Sequence, residues 1–81
     1  MRTSALKLDE HAIDVAFTET ALHIILADGR ELSAPLEWFP RLRDANEKDR
    51  RNWTLLGNGV GIHWPTLDED ISVSILIRGH D

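Results

Sequence analysis

The sequence predicts an α+β fold: an N-terminal antiparallel three-stranded meander, then short helices, further short strand segments and a short C-terminal helix. Three observations predict it. Apolar and polar residues alternate from Ile13 to Ala34, with Asp28-Gly29 between two of the runs. Pro35 and Pro40 then punctuate a stretch whose apolar residues fall at helical spacing. Glycine and proline finally bracket two extended segments ahead of an acid-led tail.

Residues 1 to 10 read as a short lead-in. Ile13, Val15 and Phe17 alternate with Asp14, Ala16 and Thr18. That is the period of a half-buried strand and predicts these three apolar residues facing inward. Glu19-Thr20 reads as a tight turn. Leu22, Ile24 and Leu26 resume the alternation, with His23 and Ile25 on the opposite face. Asp-Gly directly after such a run is a hairpin signal, because a type I′ turn needs positive φ at both central positions. Arg30 to Ala34 returns as the third strand, with Leu32 and Ala34 inward.

Pro35 suits the first turn of a helix, where its missing N–H is not needed. Leu36, Phe39 and Leu42 form one apolar stripe, which Pro40 limits to a short helical turn. Asn46 is an N-cap with Asp49 at the third helical position, predicting a second helix from Glu47 to about Asn52. Trp53 to Leu56 and Val60 to Trp64 read as extended segments around a glycine-rich turn, the second ended by Pro65. Thr66 and Glu69 stand at capping-box spacing, with Asp68 and Asp70 as alternative caps, so the trio Asp68-Glu69-Asp70 reads as a helix start. The tail supports two assignments. Ile71, Val73, Ile75 and Ile77 alternate like a strand, while Ile71, Ile75 and Leu76 fit a helix face that Gly79 would cap.

The 81 residues make a single domain, residues 1–81. A chain of this size buries roughly 60% of its unfolded surface, so its core is thin. Three tryptophans help, because each ring buries on the order of 200 Å². Cysteine is absent. That excludes a disulfide framework and thiolate zinc sites, and makes a reducing cytoplasm the natural compartment. Met1-Arg2-Thr3-Ser4 opens no apolar signal-peptide region, and runs such as Ile24 to Ala27 are far too short to cross a bilayer. The net charge of −5 argues against broad nucleic-acid binding. The charge is uneven: residues 41–51 carry five basic residues against three acidic ones, and residues 66–72 carry three acids and no base. Such segregation suits a solvated surface or a docking face for a charged partner.

Gly57-Asn58-Gly59-Val60-Gly61 superficially resembles a phosphate loop. A dinucleotide fingerprint places its third glycine at the sixth position and a helix straight after it. Here it stands at the fifth and Ile62-His63-Trp64-Pro65 follows, so these glycines read as turn and bulge positions needing positive φ. His63, Asp68 and Asp70 have the chemistry of divalent-metal ligands, yet their spacing matches no familiar site, and histidine and capping carboxylates on the surface is the simpler reading. Neither a metal nor a cofactor is therefore assigned. No serine stands in a nucleophile elbow, and Asp68 and Glu69, as neighbours, do not face each other for acid–base work. The chain is expected not to be an enzyme. Trp38, Trp53 and Trp64 read as core fillers, whereas an exposed tryptophan beside Arg41 or Arg43 would mark a partner site.

The Asp28-Gly29-Arg30 hairpin, Pro35-Leu36 with Trp38-Phe39-Pro40-Arg41-Leu42, Arg50 or Arg51, and the run Gly61-Ile62-His63-Trp64-Pro65 with Leu67-Asp68-Glu69-Asp70-Ile71-Ser72-Val73 form a specific combination. Together they resemble the bacterial domain-of-unknown-function family 2442 over residues 12 to 79. Leu76-Ile77-Arg78-Gly79 departs slightly from the Leu-Leu-Gly tail common in that family. The resemblance implies a small α+β domain and favours a helix for the tail. It also implies genomic neighbourhood with small proteins of a second uncharacterised family (4160), in pairs read as toxin–antitoxin modules. Some longer members add a helix-turn-helix, which this sequence does not contain, so DNA binding does not carry over.

The leading expectation is a protein-interaction domain, the antitoxin-like partner of a small cognate protein. Its expected contact residues are Trp38, Arg41, His63, Trp64, Asp68, Glu69 and Asp70. Two alternatives accompany it: a small-molecule or metal-binding protein using His63, Asp68 and Asp70, and a DNA-associated regulator using the basic residues 41–51.

Overall fold

A computed structural model describes residues 8–78. The first seven residues of the lead-in and the Gly79 cap lie outside that range. Strands β1 (Ala12–Phe17), β2 (Ala21–Leu26) and β3 (Glu31–Pro35) form an antiparallel sheet in the order β1-β2-β3. This is the expected meander. A 3₁₀ turn (Leu36–Trp38) and helices α1 (Pro40–Arg43) and α2 (Glu47–Arg51) follow. Strands β4 (Thr54–Leu56), β5 (Gly61–Trp64) and β6 (Glu69–Ser72) form a second antiparallel sheet, and helix α3 (Val73–Arg78) ends the described chain.

The buried faces of the two sheets meet in one core. Leu22, Ile24 and Leu26 of β2 and Ile62 and Trp64 of β5 are inaccessible to solvent, joined by Leu42, Ile71 and Val73. The alternation in β2 is therefore read correctly from sequence. In β1 it is not. The register slips between Ala12 and Asp14, so Ala12 opposes Leu26 while Val15 opposes Ile24. The extra residue is Ile13, which the bulge turns outward to 56% exposure, and Ala12 takes its place in the core. A bulge sets two residues against one, which reverses facing on one side of it.

The β2–β3 turn also departs from expectation. Only Gly29 takes positive φ, +96°. Its N–H donates to the Leu26 carbonyl and the Leu26 N–H donates to the Arg30 carbonyl. The loop thus has three residues and ends on a left-handed glycine, the next commonest hairpin solution after two-residue turns. Asp28 closes it by accepting from the Arg30 N–H at 3.0 Å.

Asn46 caps α2 as expected, accepting from the Asp49 N–H at 2.8 Å. The acidic trio does not start a helix. Trp64 to Leu67 makes a turn, with the Leu67 N–H donating to the Trp64 carbonyl, and Asp68 sits at φ +51°. Glu69 and Asp70 then pair with Trp64 and His63 in the β5–β6 ladder. The helix begins only at Val73, so the tail is strand to Ser72 and helix beyond. Pairing with β5 overrides the capping pattern of the trio.

The glycine-rich segment links β4 to β5 and packs against β1 of the first sheet. Gly57 and Gly59 have positive φ, as expected, whereas Gly61 lies in β5 without it. Gly59 at φ +106° approaches the β1 backbone so closely that an added Cβ would lie 2.3 Å from the Ala12 carbonyl oxygen. Among the described residues no helix is long and apolar enough to cross a membrane.

Candidate functional site

All seven expected contact residues lie on or beside β5, β6 and the segment from the 3₁₀ turn to α1. His63 and Asp70 face each other across β5 and β6. The Val73 N–H donates to the Val60 carbonyl, which fixes the ladder parity. His63 and Asp70 therefore form a pair without mutual backbone hydrogen bonds, the geometry that brings side chains closest. The His63 Nδ1 and Asp70 Oδ1 atoms are in direct contact. This pair lies on the outer face, opposite Ile62 and Ile71, and the Asp70 side chain is 67% exposed.

Arg41 reaches the turn ahead of β6. Its Nη1 donates to the Asp68 carbonyl and, at 3.4 Å, to that of Leu67. The Asp68 carboxylate lies 3.9 Å from the same nitrogen and is almost wholly in solvent. The guanidinium thus holds the turn backbone more closely than it holds the carboxylate. Glu69 is half-buried at the end of the sheet, opposite Trp64.

The tryptophans divide. Trp64 is fully buried, packs edge-on against Phe17 at 6.3 Å between ring centroids, and donates its Nε1–H to the Arg50 carbonyl at 3.0 Å. Its expected role as a contact residue is corrected: it has no surface to offer a partner. Trp53 is half-buried against the core. Trp38 is 38% exposed and lies edge-on to Phe39.

Trp38 and Phe39 form one wall of a hollow of about 90 Å³, completed by Asp70, Ile71 and Ser72 of β6 and by Ile75 and Leu76 of α3. Phe39, Ile75 and Leu76 are absent from the residues expected from sequence. A signal was present: four of the first five residues of α3 are aliphatic. One helix face cannot bury so many, and Ile75 is left 52% exposed. A wider, open groove of about 530 Å³ lies across β6, between Leu56, Val60, Ile77 and the His11 segment.

Among the described residues no three His, Asp or Glu side chains gather to hold a metal ion. His63 meets Asp70, whereas the Asp68 side chain is almost wholly in solvent. The basic segment is similarly committed. Arg43 pairs with Asp44 at 2.9 Å and Glu37 at 3.2 Å, and the Asp44 carboxylate holds its pKa above the usual arginine value. Arg51 pairs with Glu47 at 2.7 Å. Arg50 donates to the Leu42 and Arg43 carbonyls and lies over the Phe17 ring at 5.4 Å. Four of the five cations in residues 41–51 are thus engaged within the chain.

The family model described as "Protein of unknown function (DUF2442)" matches residues 12–81. The chain belongs to the DUF2442 family. A crystal structure of a protein of unknown function from Rhodospirillum rubrum ATCC 11170 is similar to this DUF2442 chain, with 27% identity and a TM-score of 0.71. The likeness covers 85% of this chain and 86% of that one. No curated protein matches the sequence. The DUF2442 match begins at the first residue of β1 and so takes in both sheets, and with them the surface around Trp38 and Asp70.

Proposed function

We propose that this chain is a cytoplasmic protein-interaction module, the antitoxin-like partner of a small cognate protein, and that it docks through the surface formed by Trp38, Arg41, His63, Asp68, Glu69 and Asp70. The observation that carries the reading is Trp38. A large aromatic ring sits partly in solvent on the wall of an apolar hollow that the exposed Asp70 also lines, and the Arg41–Asp68 pair lies at the turn just ahead of that strand. Tryptophan and arginine dominate the energetics of protein interfaces, and a polar rim around an apolar centre is the usual anatomy of one. The antitoxin-like part of the reading rests on the pairing that the family resemblance implies. The role is recognition, not catalysis.

Co-expression with the product of the adjacent gene tests the proposal. A stable complex is expected, with Trp38→Ala and Arg41→Glu each weakening it at least tenfold. The absence of any complex, together with an adjacent product that is harmless when expressed alone, refutes the proposal.

A further inference from the structure

We infer that the hollow beside β6 is an anchor pocket for one aliphatic side chain of a protein partner, and that a lysine or arginine flanks that side chain in the partner. The inference rests on the recognition reading above and adds the chemistry of what is recognised.

Size sets the first limit. A hollow of about 90 Å³ equals the liquid volume of roughly three waters. Drug-sized ligands occupy several hundred Å³. The space suits one branched aliphatic group instead. Its lining matches that occupant: the aromatic Trp38 and Phe39 and the aliphatic Ile71, Ile75 and Leu76 supply most of it. Trp38 and Ile75 are the most exposed of these, at 38% and 52%, so an occupant removes apolar surface that the fold leaves in water. One side chain seated in a desolvated pocket is the usual form of an interface hot spot.

Charge sets the second limit. Asp70 lines the hollow, and its Oδ1 meets His63. Among the described residues its Oδ2 has no partner. Asp68, two residues away, has a side chain that is 97% exposed. Arg41 uses Nη1 on backbone carbonyls and approaches Asp68 only to 3.9 Å, leaving the rim net negative. A cationic neighbour to the anchoring side chain finds a complementary field, whereas an acidic or phosphorylated one meets like charge.

Two blocked pentapeptides test the inference, Gly-Lys-Leu-Lys-Gly and Gly-Glu-Leu-Glu-Gly, titrated to about 10 mM into the labelled full chain and followed by NMR. The lysine peptide is expected to shift the Trp38 indole N–H and the Ile75 and Leu76 methyls saturably. The glutamate peptide binds at least tenfold more weakly, and replacing leucine by glycine abolishes the shifts. Asp70→Asn raises the Kd about threefold, the size of one exposed ion pair. Ile75→Glu, at an exposed helix position, abolishes binding while leaving the amide spectrum of both sheets unchanged. Equal response to both peptides, or no shift at these three residues, overturns the inference. If the peptides fail while the adjacent gene's product still copurifies, the anchor pocket is wrong and the recognition reading stands. If the lysine peptide binds, nothing copurifies and the adjacent product is harmless alone, the pocket stands and the cognate-protein reading falls.

Discussion

Replacing Gly59 by alanine should be among the most damaging single-methyl additions to this fold. Gly59 sits at φ +106°, and its Cβ position lies 2.3 Å from the Ala12 carbonyl oxygen and 2.7 Å from the Ala12 nitrogen. Two costs combine. An L-residue at such a backbone angle is strained by about 1–3 kcal/mol. The overlap is with backbone on both sides, so no rotamer change relieves it, and β1 must move from the β4–β5 loop by about 1 Å. Ala12 is itself buried in the core, so that shift opens packing worth a further 2 kcal/mol or so. The expected total is about 3–5 kcal/mol, set against a whole-domain stability of about 4–12 kcal/mol for a chain this long. Gly29→Ala is the control, because φ is +96° there and an added Cβ meets nothing within 4 Å. It isolates the backbone strain, about 1–2 kcal/mol. Urea unfolding followed by tryptophan fluorescence measures both. With a slope of about 1–1.5 kcal/mol per molar urea, the Gly59 variant should lose roughly 2–5 M in midpoint, or fail to fold, while the Gly29 variant loses roughly 1–2 M. Equal midpoints for the two variants would refute the close approach between the loop and β1.

Three further outcomes are expected. Ile13→Ser should change stability by less than about 0.5 kcal/mol because the bulge exposes Ile13, whereas Val15→Ala should cost about 2 kcal/mol; thermal melts of the two decide whether the register is right. Trp64→Phe should cost about 2 kcal/mol by leaving the half-buried Arg50 carbonyl without its indole donor, and Trp64→Ala about 3–5 kcal/mol, both read from denaturant midpoints. The hydrogen bonds from the Arg30 side chain and from the Arg30 and Asp9 amides hold Asp28 at a pKa of about 2; in the unfolded chain it titrates at about 3.9. Between these values the unfolded state binds more protons, so this contribution is complete above about pH 4 and is lost as the pH falls towards 2. Asp28→Asn should flatten that part of an acid titration monitored by fluorescence, and an unchanged acid limb would count against the pairing.

Where sequence and structure agree, the controlling interactions are local or periodic. The alternation of β2 survives because Leu22, Ile24 and Leu26 all reach the core from a regular ladder. Asn46 caps α2 because its partner is three residues away. The disagreements come from strand pairing and packing that no local pattern encodes. Nothing in Ala12-Ile13-Asp14 marks a bulge, since neither glycine nor proline stands there. The contact between Ala12 and Gly59 occurs at that irregularity. Asp68-Glu69-Asp70 carries every local sign of a helix start, but the β5 edge offers it a ladder and His63 offers Asp70 a partner. The site was legible in the same uneven way. Charge segregation located the acidic rim, while the burial of Trp64 and the exposure of Trp38 depend on which tryptophan faces the other sheet, and no single-residue property distinguishes them.

The arrangement of two consecutive meanders has a kinetic consequence. Each sheet pairs strands that are neighbours in sequence, joined by short turns. Such contacts close small loops and form early. Neither sheet is stable by itself, because a small sheet needs something to cover its apolar face. The slow event is then the docking of one preformed meander on the other, through Phe17 on Trp64 and Ala12 on Gly59. Substitutions within a turn should mainly alter how fast each half assembles, while those at the Trp64 and Gly59 contacts should mainly alter how long the docked pair survives.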